Sequence, residues 1–178
     1  LELVVKTGIE VETSIGKLSL TIGGFIDRLD AVAANGNANG KNLAERIRVI
    51  DYKTGRISTT HPRALDEVFN PSMLNKHTDY YLQSMLYSII VKHNKDLNPG
   101  QDPVSPGLLF IQNAGAEDYD PTLKMGKELI SSIDVYEEEF MKQLKVLIAN
   151  IFDKDQPFRP TDDKHRCEYS PYAALCKS

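Results

Sequence analysis

The fold is decided by two stretches of sequence, GFIDRLD at residues 24–30 and RVIDYKTG at residues 48–55. Each is an apolar run that ends on an aspartate, and the second run carries a lysine two residues beyond its aspartate. Because side chains alternate between the two faces of a strand, Asp51 and Lys53 point to one face and Tyr52 points to the other. The second stretch therefore predicts a carboxylate and an ammonium side by side.

Pairing of the two runs as neighbouring strands would bring Asp27 beside Asp51 and close to Lys53. Two carboxylates at one site repel each other, and each would rather protonate than stay ionised without a partner. A divalent cation removes that conflict, and hard oxygen ligands suit Mg²⁺ or Mn²⁺. The two aspartates therefore predict a metal site at a sheet edge.

The composition is that of an ordinary globular domain with a real core. The chain has 178 residues, of which 41% are hydrophobic and 26% charged, as is usual for such folds. No apolar run approaches the ~20 residues of a membrane span, so no membrane partner is expected. The formal net charge is −4, whereas general nucleic-acid-binding domains are more often basic. Acidity weakens long-range attraction to phosphate but is compatible with a local site that works through metal.

The chain contains two cysteines, Cys167 and Cys176. They form no disulfide framework, so a reducing compartment, the cytoplasm, is predicted. No signal peptide is visible at the start of the sequence, and the first residue is not methionine. We expect residues 1–178 to form a single domain that is a C-terminal fragment of a longer protein.

The first half of the chain predicts strands. Weak alternation favours a strand over Leu3–Thr13, and a longer one is expected over Leu18–Ala33, with Gly23-Gly24 inside it marking a bulge or a close approach of another group. A hairpin loop is predicted over residues 35–42. The next strand is predicted over Arg46–Tyr52, and its Val49-Ile50 pair indicates a central strand.

The second half predicts helices separated by loops and one buried strand. A short helix is expected near Arg63–Phe69, and a longer one over Asp79–His93 with a broad apolar face; that face is formed by Tyr80, Leu82, Met85, Leu86, Ile89 and Ile90. A loop over residues 94–106 and a buried strand over Leu108–Gln112 follow, and residues 123–130 are a candidate edge strand.

The last predicted helix begins at Asp134, with Glu137 completing a capping box. Its apolar residues repeat at helical spacing; they are Phe140, Leu144, Leu147, Ile148 and Ile151. The order of elements indicates an α/β fold with a mixed central β-sheet flanked by helices.

These motifs resemble the PD-(D/E)XK nuclease superfamily, and more narrowly the RecB-type nuclease domains of bacterial recombination exonucleases. Asp27 matches the first metal-binding aspartate of that family. Asp51 and Lys53 match the acidic residue and the lysine of its second motif. A third motif, Gln-x3-Tyr, is matched by Gln83 and Tyr87, which share one helical face at i and i+4. The three motifs occur in the family's order and span most of the chain.

The resemblance implies a restriction-endonuclease-like core and a metal-dependent DNA nuclease, in particular an exonuclease in recombination or repair, with a helicase domain or subunit as partner. Asp27, Asp51 and the Tyr52 carbonyl would bind Mg²⁺ or Mn²⁺, which would polarise the phosphate and activate water. Lys53 would orient the attacking water, neutralise transition-state charge or act as a base. Gln83 and Tyr87 would position Lys53 or a phosphate, although Tyr87 equally fits a core position.

The resemblance leaves the contacts to DNA open. Arg28 and Arg56 are candidates for contacts to the DNA backbone, and each equally fits a solvated surface charge. Relatives also carry a metal-binding His or Glu on a helix before the first strand. This sequence begins at the strand, and Glu10 or Glu12 could replace that ligand.

The C-terminal tail resembles a cluster-binding pattern of some relatives, Cys-x2-Cys-x5-Cys. Here Cys167 and Cys176 keep the spacing, whereas Ser170 stands at the middle position. Two thiolates do not make the four-cysteine site of a [4Fe–4S] cluster, so an intact cluster is not expected.

Two alternatives to a nuclease are a binding module without catalytic activity and a glycosidase. A nuclease-like module that binds DNA or a partner subunit without cutting is compatible with the acidic composition and the missing upstream ligand, although Asp27, Asp51 and Lys53 favour an enzyme. A glycosidase fits poorly, because its two carboxylates usually flank a sugar cleft without a lysine two residues from one of them.

Overall fold

A computed structural model describes residues 3–33, 45–55, 61–116 and 119–157, together with residues 168, 171 and 173. The predicted hairpin loop over residues 35–42 lies outside the described residues. No helix in the described ranges is long and apolar enough to cross a membrane. The elements follow one another as β1 Leu3–Thr13, β2 Gly16–Ile26, β3 Arg28–Val32, β4 Arg46–Lys53, α1 Leu65–Val68, α2 Thr78–His93, β5 Val104–Phe110, β6 Lys124–Met125, β7 Glu128–Leu129 and α3 Asp134–Ile151, with short 3-10 segments at Pro71–Lys76 and Ile111–Asn113.

Strands β1 and β2 form a long antiparallel hairpin whose register runs without interruption from Thr13 opposite Gly16 to Leu3 opposite Ile26. The predicted bounds of β1 are therefore confirmed, and no bulge occurs at the glycine pair. Gly23 instead marks a close approach of backbone. A Cβ atom on Gly23 would lie 2.7 Å from the Cα of Lys6, and closer still to a carbonyl oxygen of β1.

The single strand predicted over Leu18–Ala33 is wrong, because the chain bends at Asp27 and separates β2 from β3. Strand β2 pairs with β1, whereas β3 pairs with β4. The apolar pattern continues through the bend, so periodicity alone does not reveal it. The bend is stabilised by a contact remote in sequence, since the Asp27 carboxylate accepts a hydrogen bond from the Tyr52 amide at 2.7 Å.

Strand β4 is the middle strand of a three-stranded mixed sheet. It runs antiparallel to β3 and parallel to β5, and α2 connects β4 to β5 as a crossover requires. Val49 and Ile50 are fully buried on opposite faces of β4, as predicted for a central strand. The mixed α/β architecture expected from the sequence is thus the observed one.

Helix α2 is buried more widely than its predicted apolar face. Tyr80, Leu82 and Leu86 are only partly buried, whereas the buried set includes Tyr81, Ser84, Met85, Tyr87 and Ser88. The reason is that α2 contacts the β1–β2 hairpin, strands β4 and β5 of the three-stranded sheet, and α1. Small polar residues allow this close packing because their hydroxyls bond to backbone: Ser84 Oγ donates to the Gly107 carbonyl at 3.3 Å, and Ser88 Oγ donates to the Ser84 carbonyl at 2.9 Å.

The predicted bounds around β5 are wrong on both sides. The strand begins at Val104, inside the predicted loop, and ends at Phe110, before the predicted end at Gln112. Prolines within this segment suggested a loop, yet Pro106 fits the strand because its carbonyl accepts from the Leu123 amide at 2.9 Å and its missing N–H is not required there. The candidate edge strand over residues 123–130 is a hairpin of two short strands, β6 and β7.

Helix α3 begins at Asp134 as predicted, but the predicted capping box is wrong. Asp134 is the first helical residue, the N-cap residue Ile133 makes no side-chain capping bond, and Ser132 Oγ accepts a hydrogen bond from the Asp134 amide at 3.3 Å. Glu137 instead turns toward α2, where it forms an ion pair with Lys92 at 2.6 Å and also contacts His93 Nε2. Glu137 therefore joins α3 to α2 instead of completing a local capping box.

The predicted apolar stripe of α3 is largely confirmed. Phe140, Leu144 and Ile148 are buried, whereas Ile151 is half-exposed at the helix end. Phe140 also packs edge-on against the Phe69 ring, with 5.2 Å between the ring centroids. The short helix predicted near Arg63–Phe69 is present as α1.

Candidate active site

The two aspartates of the candidate site meet where β3 and β4 pair. Arg28 lies opposite Ile50 at the end of the β3–β4 ladder, and Asp27 occupies the bend directly before it, close enough to Asp51 for its charge to raise the pKa of that carboxyl. Asp27 Oδ2 accepts the Tyr52 amide at 2.7 Å, which anchors its carboxylate at the end of β4. The structure therefore brings together the two carboxylates that the sequence predicted to converge.

Asp51 and Lys53 share the face of β4 that is turned toward α2. The Lys53 ammonium forms an ion pair with Asp51 Oδ2 and donates to Gln83 Oε1 at 3.2 Å. It also lies 4.3 Å from the centroid of the Tyr80 ring, a cation–π contact. The ammonium is thus held from three sides by a strand and a helix.

The electrostatic balance of Asp51 is unfavourable to its ionised form. Burial raises the pKa of Asp51, the Lys53 ammonium lowers it, and the charge of Asp27 raises it again, so that the pKa lies above its ordinary value. Only 6% of the residue is exposed. Within the described part of the chain, the Oδ2 atom of Asp51 makes the ion pair with Lys53 and accepts no hydrogen bond of regular geometry.

Gln83 and Tyr87 occupy successive turns of α2 and are joined by a hydrogen bond. Gln83 Nε2 donates to Tyr87 Oη at 3.2 Å. The orientation of the Gln83 amide follows from its neighbours, because an ammonium only donates and therefore requires the amide oxygen. The Tyr87 hydroxyl must consequently accept from Gln83. Tyr87 is also a core residue with 7% exposure, while its role in positioning Lys53 or a phosphate stays a prediction.

Tyr52 and Arg28 lie on the opposite face of the sheet from Lys53. An Arg28 nitrogen donates to Tyr52 Oη at 3.4 Å, and the guanidinium lies 5.8 Å from the centroid of that ring. Arg28 also forms an ion pair with Asp30 at 2.7 Å, so much of its charge is already balanced. The roles of Arg28 as a contact to DNA and of the Tyr52 carbonyl as a metal ligand stay predictions.

The alternative that Glu10 or Glu12 replaces a missing ligand is wrong. Glu10 lies opposite Ser19 in the hairpin, seven residues (26 − 19) from the end of β2 at Ile26. At the rise of an extended strand this is about 23 Å from the aspartate pair. Glu10 forms an exposed ion pair with Lys17 at 2.6 Å, and Glu12 lies still nearer the hairpin tip.

Three predicted site residues lie outside the described residues. They are Arg56, Cys167 and Cys176. Their roles as a DNA contact and as remnants of a cluster site therefore stay predictions.

The donor set fits a hard divalent cation. Two carboxylates converge, one of them has a buried oxygen that is ion-paired with Lys53 but accepts no regular hydrogen bond among the described residues, and their mutual repulsion is only partly offset by that one ammonium. Oxygen donors of this kind suit Mg²⁺ or Mn²⁺. Among the residues that the structure describes, no cluster of three or more His, Cys, Asp or Glu side chains is placed to hold a metal ion.

Two contributors to the site were missed at the level of sequence. The helical pattern places Tyr80 on the apolar face of α2, yet its ring packs against Lys53. The glycine pair indicates only that some group comes close to Gly24, and that group is the Tyr87 hydroxyl. The glycine pair was the available signal for the second contact, whereas nothing in the sequence distinguished Tyr80 from its apolar neighbours.

Comparison with known proteins gives one family. No curated protein and no solved structure matches the chain significantly. The family model described as the PD-(D/E)XK nuclease superfamily matches residues 2–177, and the mixed α/β fold agrees with that family. Since the match extends over almost the entire sequence and includes the convergent Asp27, Asp51 and Lys53, this chain belongs to the PD-(D/E)XK nuclease superfamily.

Proposed function

We propose that residues 1–178 form a metal-dependent deoxyribonuclease domain of the RecB type, acting as an exonuclease in DNA recombination or repair. The observation that carries the proposal is the convergence of Asp27, Asp51 and Lys53 at the end of β4, with Gln83 of α2 holding the lysine. Hydrolysis of a phosphodiester requires charge stabilisation around the phosphoryl group, and this site combines a cation-binding carboxylate pair with a fixed ammonium.

The aspartates provide the metal-binding part of the proposal. Asp27 and Asp51 would hold Mg²⁺ or Mn²⁺, with the Tyr52 carbonyl as a further ligand. Such an ion, when bound, supplies Lewis-acid polarisation of a phosphate and lowers the pKa of a coordinated water. The hydrogen bond from the Tyr52 amide to Asp27 would keep this carboxylate aimed at the same point before and after binding.

Lys53 provides the positive charge of the site. Its ion pair with Asp51 and its hydrogen bond to Gln83 leave the ammonium little freedom. A preorganised cation stabilises negative charge that develops in the transition state without needing to reorganise. Lys53 would therefore neutralise the phosphoryl oxygens or orient the attacking water, while Gln83 and Tyr87 fix its position.

The proposed biological setting follows from the resemblance to RecB-type domains. We infer a cytoplasmic protein whose substrate is DNA and whose partner is a helicase domain or subunit. Arg28, and Arg56 from the sequence, are the proposed contacts to the DNA backbone. The net charge of −4 supports recognition through a local site rather than through a broad basic surface.

The activity is tested on labelled linear single-stranded and double-stranded DNA with Mg²⁺ or Mn²⁺. We expect cleavage that EDTA abolishes and that Asp51→Asn reduces by about 100-fold or more, because loss of a metal ligand weakens the hold on the ion that stabilises transition-state charge. Asp155→Asn is the matched control, because Asp155 is exposed on the turn after α3. Circular DNA of the same sequence separates exonuclease from endonuclease action, and equal cleavage by Asp51→Asn and wild type would refute the proposal.

A second candidate function is a nuclease-like module that binds DNA or a partner subunit without cutting it. One observation favours it, namely that only two carboxylates converge among the described residues. Calorimetry with Mg²⁺ and Mn²⁺ distinguishes the two candidates. Binding that is lost in Asp27→Asn and Asp51→Asn but kept in Asp155→Asn supports the nuclease, whereas DNA binding without metal binding or cleavage supports the module.

A further inference from the structure

We propose that Gly24 is a positioning residue of the active site, which sets the place of the Lys53 ammonium through Tyr87 and Gln83. The proposal deepens the nuclease function described above and rests on it. Gly24 lies in β2, three residues before Asp27. The same short segment would thus provide a metal-binding carboxylate and a contact surface for the helix that holds the lysine.

The first step is the contact between Gly24 and Tyr87. A Cβ atom on Gly24 would lie 2.7 Å from Tyr87 Cζ and 3.1 Å from Cε1, and closer still to the hydroxyl oxygen. These separations are shorter than van der Waals contact, so the Tyr87 hydroxyl occupies the space that any other residue's Cβ would need. Gly24 is therefore required here for close approach of a side chain rather than for an unusual backbone angle.

The second step is that Tyr87 cannot easily move aside. It is 7% exposed, and α2 packs against the β1–β2 hairpin and against β4 and β5. A phenol ring is rigid, so its hydroxyl can retreat from Gly24 only if the ring rotates into packed neighbours or the helix shifts. Either change moves the oxygen that accepts the hydrogen bond from Gln83.

The third step carries that displacement to Lys53. Gln83 Nε2 donates to Tyr87 Oη, and Gln83 Oε1 accepts from Lys53 Nζ, each at 3.2 Å. The two bonds use opposite ends of one planar amide, so a shift at the hydroxyl reorients the oxygen that anchors the ammonium. The connection runs from β2 through α2 to β4, and each contact in it is directional.

The test substitutes Gly24 by alanine and compares two other glycines of the same hairpin. Gly8→Ala is the control for the substitution itself, because a Cβ on Gly8 meets nothing within 4 Å. Gly23→Ala is the control for distortion of the hairpin, because its Cβ would meet the backbone of β1 rather than Tyr87. We expect Gly24→Ala to lower kcat on the order of 100-fold, as small misplacements of catalytic groups do, with little change in KM, and Gly8→Ala to match wild type.

A double-mutant cycle distinguishes positioning from general damage. In a Tyr87→Leu background the shorter side chain leaves room beside Gly24, so adding Gly24→Ala should cause no further loss of kcat. Adding Gly23→Ala to that background should cause the same loss as in wild type. An equal kcat loss from Gly24→Ala in both backgrounds would overturn the proposal.

A readout that does not need catalysis keeps the proposal separate from the proposed function. The ¹⁵Nζ resonance of Lys53, assigned from a Lys53→Met spectrum, should shift in Gly24→Ala and stay at its wild-type position in Gly8→Ala. If wild type is inactive yet the Lys53 resonance shifts as described, the nuclease function fails while the positioning inference stands. If Gly24→Ala does not fold, the double variant Gly24→Ala/Tyr87→Leu is compared with Tyr87→Leu alone. A double variant that is as stable as Tyr87→Leu supports the contact between Gly24 and Tyr87, whereas an unfolded double variant overturns the proposal.

Discussion

Replacing Lys53 by methionine would leave the Asp51 carboxylate buried without its counter-charge. The two side chains are 16% and 9% exposed, so the pair is largely withdrawn from water. Removing one partner of a buried ion pair costs about 3–5 kcal/mol of unfolding free energy. The remaining exposure of Lys53 places the expected loss at the lower end, about 3 kcal/mol. In a chain of this length that loss lowers Tm by about 6–12 °C.

The loss is measured by urea unfolding in metal-free buffer, with Lys142→Met as the matched control. Lys142 pairs with Glu139 at 3.4 Å on the surface of α3, and both side chains are at least half-exposed. An exposed pair of this kind contributes less than about 1 kcal/mol. The double variant Lys53→Met/Asp51→Asn should recover most of the loss, because it removes the uncompensated charge together with its partner.

The dependence on pH provides a second check. Burial raises the pKa of Asp51, and loss of Lys53 removes the charge that lowers it. The folded variant therefore binds a proton more readily than the unfolded chain, so its stability relative to wild type improves as pH falls and worsens as pH rises. The reasoning is refuted if Lys53→Met costs no more than Lys142→Met, or if its penalty grows on acidification.

Three further predictions concern the frame around the site. Phe140→Ala should lower the unfolding free energy by about 3–5 kcal/mol, because its fully buried ring packs against Phe69; a Tm close to that of wild type would contradict this. Burial alone would raise the pKa of Asp120, but hydrogen bonds from Thr122 and the charge of Arg48 lower it on balance, so Asp120 stabilises the fold above its unfolded-state pKa. Asp120→Asn should therefore cost about 0.5–1 kcal/mol at pH 7 in urea unfolding, and a difference that persists below the pKa of the folded state would argue against the interaction. Glu137→Gln should speed amide exchange in the first turn of α3, because Glu137 joins α3 to Lys92 of α2; unchanged protection there would rule out this role.

Much of the fold was predictable because it is local. Alternation predicted β1 with its observed bounds, and the Val49-Ile50 pair predicted that β4 is central. The errors occurred where a distant contact overrides the local pattern. Glu137 forms an ion pair with Lys92 of α2 instead of capping α3, and the bend at Asp27 is invisible to hydrophobic periodicity.

In the candidate site, too, the contacts set by local periodicity could be predicted, whereas contacts between distant elements could not. The two-residue period of a strand places Asp51 with Lys53, and the helical period places Gln83 with Tyr87, so each pair could be predicted from spacing alone. The contact of Tyr80 with Lys53 could not be predicted, because it depends on how α2 is rotated over β4.

The sequence by itself determined the chemistry of this protein, namely two carboxylates, an ammonium and a Gln–Tyr pair in the order of the PD-(D/E)XK family. Those properties follow from residue identity and from periods of two and 3.6 residues. Only the tertiary structure decided that the Asp27 carboxylate bonds to the Tyr52 amide, that Gln83 reaches Lys53, and that the Tyr87 hydroxyl lies against Gly24. These contacts depend on which strands pair and how closely a helix packs on them, and the same apolar pattern is compatible with several such arrangements.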